Sequence, residues 1–150
     1  MRLLGSVKED PSWVDTILEW RWTGLLARLG LTSAYLLGGI VKFTSFSAAI
    51  AEQEHFGFHP GWVWAAAAIA VELIGSLFVI TGRLVWLGAG ALGVLTAVAT
   101  FAASPFWTMQ GQERFMATNT FFEHLGLIAG LVMAAILAER DERRRSDPSY

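Results

Sequence analysis

Glu72 is the residue of this 150-residue chain whose setting is hardest to explain without chemistry. It lies near the middle of Trp62–Thr81, a run with no other charged side chain. If that run crosses a bilayer, an acidic group at its centre costs roughly 2.5–3.5 kcal/mol on insertion scales. Such a group is expected to face the bundle interior, protonated or paired. Two uses fit it equally: proton or ligand handling, or a packing hydrogen bond that fixes helix register. Gly75 and Ser76 beside it let another helix come close.

Four further polar groups fall inside or at the ends of apolar runs: Arg28, Lys42, Glu123 and His124. Arg28, Thr32, Tyr35, Gly39 and Lys42 are spaced by four, three, four and three, which puts them on one helix face. That stripe is expected to point at other polar groups. Lys42, near one end, can turn inward or snorkel to the head groups, and Arg28, near the other, has the same choice. The depth of Lys42 makes it a reaching partner for Glu72, possible only if it points down, whereas Tyr35 lies deeper and is the easier direct partner. Glu123 and His124 sit at a depth resembling that of Lys42, so the first and last apolar helices can exchange charge there. His124 reads as a ligand, a proton carrier or a packed neutral imidazole. Thr96 and Thr100, one turn apart, add hydroxyls, which in membrane helices mostly bond back to their own helix.

Other groupings carry less. His55 and His59 share a connection with Glu52 and Glu54, but Gly57 between the histidines interrupts helical spacing, and a metal centre needs three or four convergent ligands. No metal site is predicted. Gly126-Leu127-Ile128-Ala129-Gly130 is a small-xxx-small pattern that permits close helix approach. The chain has no cysteine, so thiolate relays and cysteine-ligated clusters are excluded. No catalytic motif, dinucleotide fingerprint or haem-attachment motif is present, so the chain shows no redox centre of its own.

The elements that must position these residues are membrane spans. Apolar residues make up 54% of the chain and charged ones only 16%, against about 45–50% and about 25% in soluble domains. Four stretches, roughly 24–43, 62–81, 84–103 and 119–138, each supply the 20 or so residues that cross a bilayer core of about 30 Å. Leu84–Ala103 has no charge on any face, which a soluble bundle could not tolerate. The expected fold is all-α: a single membrane domain, a four-transmembrane-helix bundle preceded by an interfacial amphipathic helix over about 11–21. Asp10-Pro11 reads as its start, and Trp13, Ile17 and Trp20 recur on one face. A short helix over Ser47–Glu54, a tight turn at Gly82–Arg83, an outer loop over 104–118 and a polar tail over 139–150 complete the reading.

With the N-terminus inside, nine of the eleven basic residues fall on the cytoplasmic side and only Lys42 and Arg114 outside. The positive-inside rule therefore predicts a multi-pass inner-membrane protein with both termini cytoplasmic. Trp13, Trp20, Trp22 and Trp86 then mark the inner head-group level, and Trp62, Trp64 and Trp107 the outer one. A net charge of −2 gives no nucleic-acid footprint. The lipid bilayer is the first partner, with other membrane subunits or a homo-oligomer next.

The order of these motifs resembles the DoxX family of small four-span membrane proteins. Arg28-Leu29-Gly30 followed by Gly38-Gly39-Ile40-Val41-Lys42-Phe43 is similar to the family's first helix, and Ala70-Val71-Glu72-Leu73-Ile74-Gly75 to its Glu-Leu-x-Gly core. Thr81-Gly82-Arg83 resembles its short turn and Phe106-Trp107 an aromatic pair often led by His, a place held here by Ser104-Pro105. Phe121–Leu127 aligns with a segment that often reads Phe-x-Lys-Asn-Leu-x-Leu, with Glu123 and His124 standing where Lys and Asn are common. Some relatives resemble subunits of thiosulfate:quinone oxidoreductases, others are tied to membrane redox defence. The resemblance implies a subunit of, or accessory to, a quinone-linked redox assembly. A quinone would lie near the outer half of the bundle, with Glu72, Lys42 and His124 as polar contacts and Tyr35, Glu123 and Thr100 around them. A purely structural membrane subunit is the alternative, and a small oligomeric transporter the third reading.

Overall fold

A computed structural model describes residues 11–146. Among them there is no strand, and four helices are long and apolar enough to cross a membrane. The elements are α1 (Ser12–Leu18), α2 (Thr23–Thr44), α3 (Phe46–His55), α4 (Gly61–Thr81), α5 (Val85–Ala103) and α6 (Gly111–Ser146), with a 3₁₀ turn at Phe106–Thr108 before α6. The spans are α2, α4, α5 and α6. Four crossings leave α1 and the end of α6 on one side, here the lower end; α3 and the 3₁₀ turn lie at the upper end.

The surface is inverted relative to a soluble protein. All seven tryptophans are exposed, together with residues such as Leu37, Val94 and Met133 within the spans. An apolar exterior of this extent is a lipid-facing surface. The protein interior is narrow, built from Val79, Val85, Ala89, Leu92 and Leu131, with Thr32, Tyr35, Glu72, Ser76, Thr96 and Thr100 buried among or above them.

Small residues make that narrow interior possible. At the crossing of α4 and α5, a methyl group on Gly88 would lie 2.5 Å from the Gly75 carbonyl oxygen and 2.8 Å from Phe78 Cβ. At the crossing of α2 and α4, a methyl on Gly39 would lie 2.8 Å from Leu73 Cδ2. Backbones this close gain van der Waals contact that lipid chains cannot match. The turn between α4 and α5 is tight: Gly82 closes the helix at φ 75° and Leu84 opens the next at φ 52°. The left-handed region costs glycine nothing and a leucine roughly 1–2 kcal/mol.

Several boundaries differ from the sequence-based expectation. α1 is about two turns beginning after Pro11, not a helix across 11–21, and the proposed Asp10 cap lies outside the described residues. α3 begins at Phe46 and ends at His55, one residue beyond the expected 47–54 on each side. The last helix starts at Gly111 and continues through Ser146, so most of the expected outer loop and polar tail is helical. Glu139 and Arg143, bonded one turn apart at 2.9 Å, extend it as an i,i+4 ion pair.

The second span also departs from a regular α-helix. Val71–Gly75 is wound as a π-helix between two α-helical stretches. Single π turns inside α-helices interrupt the i→i−4 ladder and recur at functional sites. Glu72 lies in this one.

Candidate functional site

Two sets of side-chain hydrogen bonds link α2, α4, α5 and α6. The first is an ion pair. Lys42 Nζ donates to Glu72 Oε1 at 2.6 Å, with the lysine side chain 23% and the carboxylate side chain 9% exposed. This differs from the expectation that Tyr35 is the easier direct partner of Glu72; Lys42 reaches the carboxylate without an intermediary. The interaction joins the upper part of α2 to the π turn of α4 and removes the cost of a lone charge in hydrocarbon.

Gly38 stands in front of the carboxylate. A methyl group there would meet Oε1 and Oε2 at 3.6 Å each, in ordinary contact. Beside Lys42, the Glu72 carboxylate thus faces a glycine of α2 rather than a second side chain. Glu72 Oε2 and the hydroxyl of Ser76, one turn further along α4, are both buried and have no hydrogen-bond partner among the described residues. An ionised carboxylate oxygen is an acceptor only, and Lys42 carries three N–H groups of which one is used. The pair therefore presents an acceptor and spare donors side by side.

The second set runs from α2 through α5 to α6. Thr96 Oγ1 donates to the Leu92 carbonyl at 2.7 Å, so its single proton is engaged and the Tyr35 hydroxyl is the donor in the 2.6 Å bond between them. Thr100 Oγ1 lies 2.6 Å from the Thr96 carbonyl and 2.7 Å from His124 Nδ1. It has one proton for two acceptors. Either the hydroxyl donates to the carbonyl and His124 Nδ1–H donates to Thr100, or the hydroxyl donates to an unprotonated Nδ1. Thr96 bonds back to its own helix and accepts from Tyr35 across an interface, and Thr100 lies within hydrogen-bond distance of both its own helix and His124.

The sequence-selected residues are thus partly assembled. Lys42 and Glu72 form one contact, Tyr35 and Thr96 a second, Thr100 and His124 a third. Glu123 is exposed on α6 and takes no part, and the expected charge exchange between Lys42 and the start of the last span is replaced by the pair with Glu72. Thr32 and Gly39 of the α2 stripe are buried; Thr32 bonds back to the Arg28 carbonyl at 2.8 Å. Arg28 is half-buried at the lower end, its guanidinium against Gly82. Among the described residues no three His, Asp or Glu side chains converge in a way that could hold a metal ion. Of the Gly126–Gly130 pattern, only Gly130 approaches another helix, with Leu31 as its neighbour.

Sequence reasoning missed the π turn and Ser76 as a buried hydroxyl. Its one signal was Gly75 next to Ser76 after Glu72, a local cluster of small residues opposite Gly88.

Comparison with known families gives one match: a family model described as DoxX covers residues 24–105, from the start of α2 to just past α5. It includes Lys42, Glu72, Tyr35, Thr96 and Thr100 and stops short of α6. No curated protein and no solved structure matches the chain.

Proposed function

Because the chain belongs to the DoxX family of small membrane proteins, we propose that it serves as a subunit of, or accessory to, a quinone-linked redox assembly in a bacterial-type inner membrane, with both termini cytoplasmic. The observation that carries the reading is the Lys42–Glu72 pair, with the second carboxylate oxygen buried and unpartnered. A quinone head needs a donor to its carbonyl oxygen, and a quinol needs an acceptor for its hydroxyl. Lys42 Nζ supplies the first and Glu72 Oε2 the second, at an upper-half position beside Gly38. A bound quinone would supply two-electron, two-proton chemistry; the chain supplies binding, orientation and a carboxylate beside a proton-bearing oxygen. Tyr35, Thr96, Thr100 and His124 hold α2, α5 and α6 together below and beside that position.

The test is saturable quenching of tryptophan fluorescence by a short-chain quinone, measured on the purified chain in lipid nanodiscs. Lys42→Met and Glu72→Leu are each expected to weaken binding by about tenfold, the worth of one charge-assisted hydrogen bond. Glu72→Gln keeps an acceptor and should lose less. Unchanged affinity in Lys42→Met would refute the site.

A structural role is the second reading, and the close approach at Gly39 and Gly88 favours it. In that case Lys42–Glu72 fixes the register of α2 on α4 and nothing else, and Glu72→Gln is silent in assembly and activity alike.

A further inference from the structure

We propose that the lower end of the bundle holds one zwitterionic phospholipid whose head group carries a primary amine. A cavity of about 600 Å³ lies between the α4–α5 turn and the last turns of α6. Its charged wall consists of Arg28, Arg83 and Arg145 together with Glu139, Asp141 and Glu142. A second groove of about 300 Å³ opens on the other side of Arg28, between α2 and α6, lined by Leu31, Gly130, Met133 and Leu137 and sharing Arg28 and Asp141 with the first. A polar chamber and an apolar trough that meet at one arginine and one aspartate match a molecule with a charged head and a hydrocarbon chain.

The level in the membrane agrees. Trp86, 65% exposed, lies on the chamber wall and marks the head-group region. The trough runs from there into the span region alongside Leu31 and Gly130, where only lipid or protein can be the solvent.

Charge selects the head group. Arg28 is half-buried, and among the described residues no carboxylate lies within ion-pair distance of it. Its guanidinium is held against Gly82, whose missing side chain leaves room for it. A fixed guanidinium at the head-group level is a phosphate donor, and Arg83 on the same turn adds a second. A purely anionic lipid would satisfy these but would face Asp141 and Glu142. Glu139 is engaged by Arg143, whereas Asp141 and Glu142 have no ion pair among the described residues. Three cationic and three anionic groups on one wall suit a ligand bearing both signs. An ammonium group with N–H donors bonds to a carboxylate, whereas a quaternary amine does not. The phosphate is therefore assigned to Arg28 and Arg83, the ammonium to Asp141, which lines both the chamber and the trough, and an acyl chain to the trough.

The experiment is native mass spectrometry of the full chain released from nanodiscs containing equal amounts of phosphatidylethanolamine, phosphatidylcholine and phosphatidylglycerol. Retention of phosphatidylethanolamine is expected to exceed that of either competitor by about tenfold, one charge-assisted contact's worth. Arg28→Gln, which loses the contact to the phosphate that all three lipids share, should lower the retention of each. Asp141→Asn should weaken retention of phosphatidylethanolamine and leave phosphatidylglycerol unchanged or improved. Ala27→Trp fills the trough from its rim and should abolish retention without altering any charge. Thermal unfolding in lipid-free detergent, unchanged in Asp141→Asn and Ala27→Trp, separates loss of the site from loss of the fold. Equal retention of the three lipids overturns the proposal, as does strong binding of glycerophosphoethanolamine without chains that Ala27→Trp leaves intact.

Discussion

Removing either partner of the Lys42–Glu72 pair should not cost the same. Lys42→Met leaves a carboxylate that is 9% exposed with neither oxygen bonded, since Oε2 already lacks a partner and Oε1 loses the lysine. Breaking a buried pair in this way costs about 3–5 kcal/mol. Glu72→Leu leaves a lysine whose side chain is already 23% exposed and only two residues from the upper end of α2. That ammonium can swing to the head groups, so the expected cost is about 1 kcal/mol. The double variant should be close to Glu72→Leu alone, giving a coupling energy of about 3–5 kcal/mol in a double-mutant cycle. The assay is SDS-driven unfolding in mixed micelles followed by tryptophan fluorescence. Equal losses in the two single variants, or additivity in the double one, would refute the assignment of the burial cost to the carboxylate.

Gly88→Ala should destabilise the same unfolding equilibrium by about 1–3 kcal/mol, because its methyl group meets the Gly75 carbonyl oxygen, whereas Gly126→Ala, with nothing within 4 Å, should stay within about 0.5 kcal/mol. Tyr35→Phe should cost about 1 kcal/mol, and Thr96→Val more, about 1–3 kcal/mol, because it strands the buried tyrosine hydroxyl without its acceptor; the same titration reads both, and the reverse order would show that Tyr35 is not the donor. Single cysteines replacing Ser146 and Gln112 should react with an impermeant maleimide from opposite sides of sealed vesicles, that at Ser146 only once the cytoplasmic face is opened; labelling of both from one side would contradict the crossing by α6.

The spans and the α2 stripe were legible because membrane crossing leaves a strong signal. Thr32, Tyr35 and Gly39 are buried and Lys42 half-buried, as their spacing of three and four requires. The partner of Glu72 was not legible from residue counts, which measure depth along the axis and ignore the lean of side chains. Side chains in a helix tilt towards its N-terminus. In α2 that direction carries Lys42 down into the membrane, and in the antiparallel α4 it carries Glu72 up, so the two approach each other. The π turn was illegible for a different reason. Val71-Glu72-Leu73-Ile74-Gly75 has no residue that forbids an α-helix, and the wider turn belongs to the packing between α2 and α5. The length of the last helix was missed because polar composition after Ala138 reads as solvent-exposed chain. Polar residues with i,i+4 pairs sustain a helix there equally well.

At 36 residues that last helix is about 54 Å long, nearly twice the thickness of a hydrocarbon core of about 30 Å. It runs without a break from the 3₁₀ turn at one face to Ser146 beyond the other, and His124 sits on the same rod as the charged stem Glu139–Ser146. A rod has no hinge in which to dissipate motion. The stem and the imidazole, 15 residues or about 22 Å apart, are joined by one continuous helix. Whatever grips the stem from the aqueous side therefore has mechanical access to a hydrogen bond inside the membrane.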